Sequence, residues 1–264
     1  MPGSYENPDL VFLHLSDIHF RKDRMGDAHD EDTMLRNELE RDLRRLRANL
    51  SRLDGVLVSG DVAFGGKKGE YEYAGGWLRS VCETLNCDEA KVLVTPGNHD
   101  VDRSLVETDG HVDLLHRDIR NGASQAERDD RLAEISRDAS RGEGMLRPHT
   151  AYNEFARHYG CSISRMRPFW QRDFPLSDGT TLRLWGLTTT LLSGPRDNVD
   201  THRMMYGAAQ RMILRQDNVR HMIMGHHPPS WTIEGDNAVQ VYSACAGTGC
   251  LDTGLHDQAA CLRA

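Results

Sequence analysis

No apolar run in the chain approaches the length needed to cross a membrane, and the opening Met1 to Asp9 has no basic start followed by an apolar core. A membrane partner and an export signal are therefore not expected, and the cytoplasm is the expected compartment. The six cysteines, Cys82, Cys87, Cys161, Cys245, Cys250 and Cys261, include no C-x-x-C pair and no framework spacing. They read as free thiols of a reducing compartment, with a small structural zinc site as the alternative. Positive charge is not in excess: Lys and Arg number 32 against 40 Asp and Glu, a formal charge of -8. Such a surface repels polyanions, so a broad nucleic-acid face is not favoured, although bound divalent cations would reverse the sign locally. Large hydrophobes are scarce between Arg120 and Gly144, which predicts a loose, solvated segment there.

The 264 residues, 38% apolar and 27% charged with both signs mixed, suit one folded domain carrying an insertion. Residues 11–15 read as a first strand. Leu35, Leu39, Leu43, Leu46 and Leu50 then make one apolar stripe at helical spacing. A strand over 56–59, a helix from about Glu70 to Leu85 and a strand over 92–95 follow. This β-α-β-α-β order predicts parallel pairing through right-handed crossovers. Residues 103–168 read as a mostly helical insertion, placed to overhang whatever precedes it. Its His111, His116, His149 and His158 are too widely spaced for one metal and read as surface histidines. Strand signals return at 181–187, 221–224 and 239–242, with a helix over 208–216. Residues 243–264 are unlike anything upstream.

Four of the strands end in polar tips: Ser16-Asp17-Ile18-His19, Gly60-Asp61, Pro96-Gly97-Asn98-His99-Asp100 and Gly225-His226-His227-Pro228. Open α/β sheets place their chemistry at strand carboxyl ends. In an extended tip Asp17 and His19 point the same way and can grip one ion. Asp61 has two oxygens able to bridge two ions, Asn98 offers a carbonyl oxygen and His226 an imidazole. Oxygen and nitrogen donors without thiolate suit Mn, Fe or Zn better than Mg. His14, inside a strand, reads as structural.

These motifs, in this order over residues 11 to about 230, resemble the signatures of the calcineurin-like metallophosphoesterase superfamily. The resemblance implies an α/β fold, a four-layer α/β/β/α sandwich over residues 10–264 with the helical cap inserted, around a dinuclear metal centre. Asp17 and His19 would hold one ion, Asp61 would bridge, and Asn98 and His226 would hold the second. His99 would act as a non-ligand acid beside the substrate, oriented by Asp100, while His227 is left to solvent, substrate or a bond to a ligand. The Gly-Asn-His-Asp and His-His-Pro motifs are similar to those of the cyclic-nucleotide and related phosphodiesterases.

The family's closing Gly-His-x-His has no match after Pro229; Gly254-Leu255-His256 offers one histidine. The tail reads as truncated or frame-shifted after about Tyr242, which would leave a sheet edge or core face exposed, with His256 as a substitute ligand in the alternative view. The function expected is hydrolysis of a small phosphodiester, such as a cyclic nucleotide, by a hydroxide activated between two ions. The alternatives are a superfamily nuclease and a weakly active or non-catalytic protein of the same fold.

Overall fold

The computed structural model describes residues 9–21, 31–50, 52–197, 204–228, 231–233 and 259–263. Among the described residues two sheets carry the fold, with strands in the order 92–94, 55–58, 11–15, 259–263 in one and 169–175, 181–187, 219–224 in the other. Strands β1 (Val11–Leu15), β2 (Gly55–Val58) and β3 (Val92–Val94) pair in parallel and are buried along their whole length. Their continuous β-branched and leucine runs fit strands covered on both faces. The parallel order follows from the helices between them, α1 (Glu31–Arg47) and α2 (Lys68–Leu85), which pack on each other.

On α1 the inward stripe is Leu39, Leu43 and Leu46; Leu35 is 46% exposed, so the stripe begins one turn later than its spacing suggests. Helix α2 starts where Glu70 accepts from the Lys67 and Gly65 amides (2.9 and 3.0 Å) and stops at Asn86, in left-handed conformation with φ 53°.

The second sheet holds β4 (Phe169–Pro175), β5 (Thr181–Leu187) and β6 (Val219–Met224), with β4 antiparallel and β6 parallel to β5. Strand β4 is absent from the sequence reading because Arg172, Asp173 and Pro175 mask its alternation. Trp170 and Phe174 nevertheless share one face. Phe174 meets Phe12 of the first sheet edge to face, with ring centres 5.1 Å apart, and the Trp170 indole donates to Val94 O (2.7 Å). These contacts join the sheets into a sandwich. On the outer face of the second sheet Leu187, Ile223 and Trp185 pack with Tyr206 and Ile213. The helix in that segment, α8 (Ala208–Arg211), is a single turn and not the nine residues expected over 208–216.

The charge-rich insertion is ordered throughout as α3 (Arg103–Thr108), α4 (Gly110–Arg120), α5 (Gln125–Arg137), α6 (Ala139–Leu146) and α7 (Thr150–His158). The loose segment expected between Arg120 and Gly144 is therefore replaced by two helices. Two physical reasons account for this. Asp102, Asp109, Ser124 and Asp138 each cap a helix by accepting backbone amides, a contribution of about 1 kcal/mol apiece. The few apolar residues present, among them Leu115, Ile119, Ile135 and Met145, join the core shared with the sheets and do not have to build their own. Burial also corrects the histidine reading: His111 and His158 are exposed, but His116 and His149 are each 1% exposed.

Strand β7 (Ala259–Arg263) pairs antiparallel with all five residues of β1, so the tail covers a sheet edge that was expected to be bare. The expected strand 239–242 and His256 lie outside the described residues, as do the side chains of 259–263. Among the described residues no helix is long and apolar enough to cross a membrane, and Cys82, Cys87 and Cys161 are free thiols.

Candidate metal centre

Beyond their last paired residues, β1 and β2 continue side by side. The amides of Asp17, His19 and Phe20 donate to the carbonyls of Gly60, Asp61 and Val62 at 3.2, 3.0 and 2.9 Å. These tips are not extended, contrary to the expectation for the Asp17/His19 pair. Asp17, His19 and Asp61 all adopt left-handed backbone, with φ of 56°, 52° and 52°, and Gly60 sits at 106°. Such conformations cost of order 1–3 kcal/mol each at non-glycine residues and gather at functional sites. Here they turn three side chains into one space.

Asp61 stands at the centre and is buried. Its Oδ1 accepts the His99 amide (2.8 Å), and its Oδ2 faces His226 Nε2 at 3.3 Å and His19 Nε2 at 3.7 Å. His19 Nε2 also lies 3.8 Å from Asp17 Oδ1. Two donor groups result, His19 with Asp61 and His99, and Asp17 with Asp61 and His226, each with its donor atoms within 4.8 Å of one another. Metal–donor bonds near 2.0–2.2 Å fit inside such clusters. Asp61 belongs to both. Of the five ligand residues expected, the structure gathers Asp17, His19, Asp61 and His226 in these groups, with His226 sharing one with Asp17.

The surroundings suit metal ligation. His226 Nδ1 donates to Ser59 O (2.8 Å), leaving Nε2 to face Asp61; metal-bound histidines are held in this way by a carbonyl on the other ring nitrogen. Burial works against charge on both members of the pair. Even so, the Asp61 carboxyl is held well below the usual carboxylate range by His226, His99 and His19, and Asp61 lifts His226 to about 9. A proton on His226 thus occupies the place a cation would take. Two glycines leave room: a Cβ on Gly97 would lie 2.1 Å from Asp61 Oδ1, and one on Gly60 would lie 2.7 Å from the His226 ring.

Asn98 and His99 enter on the turn after β3. Asn98 Oδ1 accepts from His227 Nε2 (2.9 Å), and His227 Nδ1 meets the Thr189 hydroxyl at 2.7 Å. His227 is buried, with its ring stacked on Trp231. Burial, then His226, holds its pKa well down, so the imidazole is neutral and accepts at one nitrogen while donating at the other. Of the three roles left open for His227, the structure supports a bond that orients Asn98. Thr189 was missed, although Thr188-Thr189-Thr190 follows β5 just as the other tips follow their strands, and that position was the available signal.

His99 Nδ1 lies 2.8 Å from Phe64 O and 2.9 Å from Arg103 Nη2, while its ring meets His19 edge to face with centres 4.6 Å apart. Burial lowers its pKa. The orienting role expected of Asp100 is not seen. The Asp100 carboxylate is fully buried and accepts from the amides of Val62 (3.2 Å), Ala63 (2.9 Å) and Gly97 (2.9 Å) and from the Tyr71 hydroxyl (2.9 Å). It ties the second tip to the third, because a short buried carboxylate next to three free backbone amides is satisfied by them before any side chain. Burial and the neighbouring Asp61 push it up to about 7 against the pull of these donors. Phe64 and Arg103, which hold His99 instead, carry no motif that singles them out in the sequence.

A comparison with curated proteins finds no match. Among solved structures, a dimetal phosphatase from Danio rerio aligns over 93% of this chain and 80% of its own, with TM-score 0.46 and 12% identity. A family model described as calcineurin-like phosphoesterase matches residues 10–237, a span that contains all four tips. The chain accordingly belongs to the calcineurin-like phosphoesterase family, whose members are metal-dependent hydrolases of phosphoric esters.

Proposed function

We propose that this protein hydrolyses a small phosphodiester, with a cyclic nucleotide as the leading substrate class, at a centre of two Mn, Fe or Zn ions sharing Asp61. The single observation that carries the reading is the place of Asp61 in both donor groups. Asp17 and His19 would complete one ion's set, and Asn98 and His226 the other's. His226 shares a donor group with Asp17 as well as with Asp61. When bound, the ions would neutralise phosphate oxygens and lower the pKa of the attacking water. The chain's own residues supply position and protons. His227 and Thr189 fix the Asn98 carbonyl, which keeps a second lone pair for an ion. Phe64 O and Arg103 occupy the Nδ1 edge of His99, leaving Nε2 to exchange a proton with the leaving oxygen. The likeness of Gly97-Asn98-His99-Asp100 and His226-His227-Pro228 to phosphodiesterase motifs supports a diester.

The test is metal analysis of the purified protein together with hydrolysis of a cyclic nucleotide, bis-p-nitrophenyl phosphate and p-nitrophenyl phosphate. Metal-dependent turnover of the diesters, lost in Asp61→Ala along with metal at both sites, is the expected result. A preference for the monoester would overturn the substrate assignment, and full metal content in Asp61→Ala would overturn the shared ligand.

A further inference from the structure

At the end of α2, on the edge of the first sheet, two cysteines meet. The left-handed Asn86 reverses the chain so that the Cys87 amide donates to Cys82 O (2.9 Å), a closure that sets the residue after the cap over the last helical turn. The Cys87 thiol lies 3.8 Å from Asp88 O. Both cysteines are free and largely buried, at 2% and 8% exposure, and both reach a surface cavity of about 590 Å³ lined also by Arg79, Glu83 and Lys91. A disulfide requires Cα atoms about 4.4–6.8 Å apart, a span compatible with this closure of the helix end.

We propose that Cys82 and Cys87 form a peroxide-responsive thiol pair, with Cys87 as the attacking thiolate and Cys82 as the resolving thiol. The neighbouring Cys82 thiol and, after it, the positive charge of Lys91 lower the Cys87 pKa against the opposing effect of burial, while the Cys82 thiol is pushed up, and thiolate character decides which cysteine reacts. In the first step the Cys87 thiolate attacks hydrogen peroxide: an S–O bond forms, the O–O bond breaks and hydroxide leaves. In the second, the Cys82 sulfur gives up its proton and attacks the Cys87 sulfenic acid; the S–S bond forms and water leaves. Two electrons pass from the two thiols to the peroxide. The disulfide would tie the end of α2 to the segment that leads into β3 and hence to the turn bearing Asn98 and His99. A thiol reductant restores the pair.

Trypsin provides a direct test, because both cysteines lie between Arg79 and Lys91 and share one peptide. After treatment of the whole protein with hydrogen peroxide, that peptide should lose two hydrogens in mass and resist alkylation, and dithiothreitol should reverse both changes. In Cys82→Ser, dimedone should trap a sulfenic acid at Cys87; in Cys87→Ser, none should form at Cys82. Equal alkylation of the peptide before and after peroxide overturns the pair, as does its linkage to Cys161 or to a cysteine of the tail. A sulfenic acid at Cys82 overturns the order of attack. Mass mapping of the unsubstituted protein decides the first question even if a variant fails to fold.

Discussion

Gly97→Ala probes the centre by adding one carbon. Backbone conformation is not the obstacle, since Gly97 has φ -97° and ψ -180°, ordinary extended values. Space is. The new Cβ would stand 2.1 Å from Asp61 Oδ1 and 2.5 Å from Asp61 N, against an ordinary carbon contact of about 3.5 Å or more. The carboxylate must retreat by about 1.4 Å, which breaks the bond from the His99 amide and moves the ligand common to both donor groups. Metal sites tolerate about 0.2 Å, and misplacement by about 1 Å in a reacting constellation can cost about 100-fold in rate. The expected result is weaker metal binding at both positions, a fall in kcat/KM of about 100-fold, and a loss of about 1–3 kcal/mol of stability from overpacking. Gly76→Ala on α2 is the matched control. Nothing lies within 4 Å of a Cβ there, and the change should stabilise by about 0.5–1 kcal/mol with activity intact. Metal titration, phosphoester hydrolysis and denaturant melts on both variants read these effects. If Gly97→Ala retains parental metal content and turnover, the close packing of the third tip on Asp61 does not shape the site.

Removing the ring of His227 (His227→Ala) frees the Asn98 amide and should weaken metal affinity by about 10–100-fold, as loss of a partner behind a ligand typically does; unchanged affinity by titration would show that Asn98 is held by other contacts. In Asp100→Asn a single carbonyl oxygen replaces two, so at least one of the Val62, Ala63 and Gly97 amides faces an NH2 group. The cost of one orphaned donor, about 1–3 kcal/mol, should appear in a urea melt, and parental stability would remove the clamp. His116 and His149 are buried and neutral, lowered to about 3 and about 4 mainly by desolvation, so protonation favours the unfolded chain. Their contribution is whole above about pH 6.5 and is lost as pH falls toward the folded values, at about 1.4 kcal/mol per unit and group. The urea midpoint should therefore drop between pH 7 and 5, and less steeply in His116→Leu; equal slopes would assign the acid sensitivity elsewhere.

Much of the site was legible because its residues sit at strand ends, where a short apolar run stops and Asp, Asn or His follows. That pattern is local, and it marked Asp17, His19, Asp61, Asn98, His99 and His226 together with the parallel order of β1, β2 and β3. Which way those side chains turn was decided by contacts between tips. The left-handed backbone at Asp17, His19 and Asp61 arises from bonds between two loops 43 residues apart in sequence, Asp17 to Gly60 for one, and no single stretch encodes it. The same holds for Asp100, which reads as a catalytic neighbour of His99 and serves instead as an acceptor for amides that only folding brings to it. Thr189 and Phe64 act at the site through a hydroxyl and a backbone carbonyl, groups common to too many residues to stand out in a sequence. The charged insertion was misread for a related reason. Composition measures whether a segment can bury a core of its own, whereas α4 to α7 bury their few apolar residues in the core shared with the sheets. Local spacing thus determined which chemistry the chain carries, and long-range packing determined its geometry, because side-chain direction depends on hydrogen bonds between segments that meet only in the folded state.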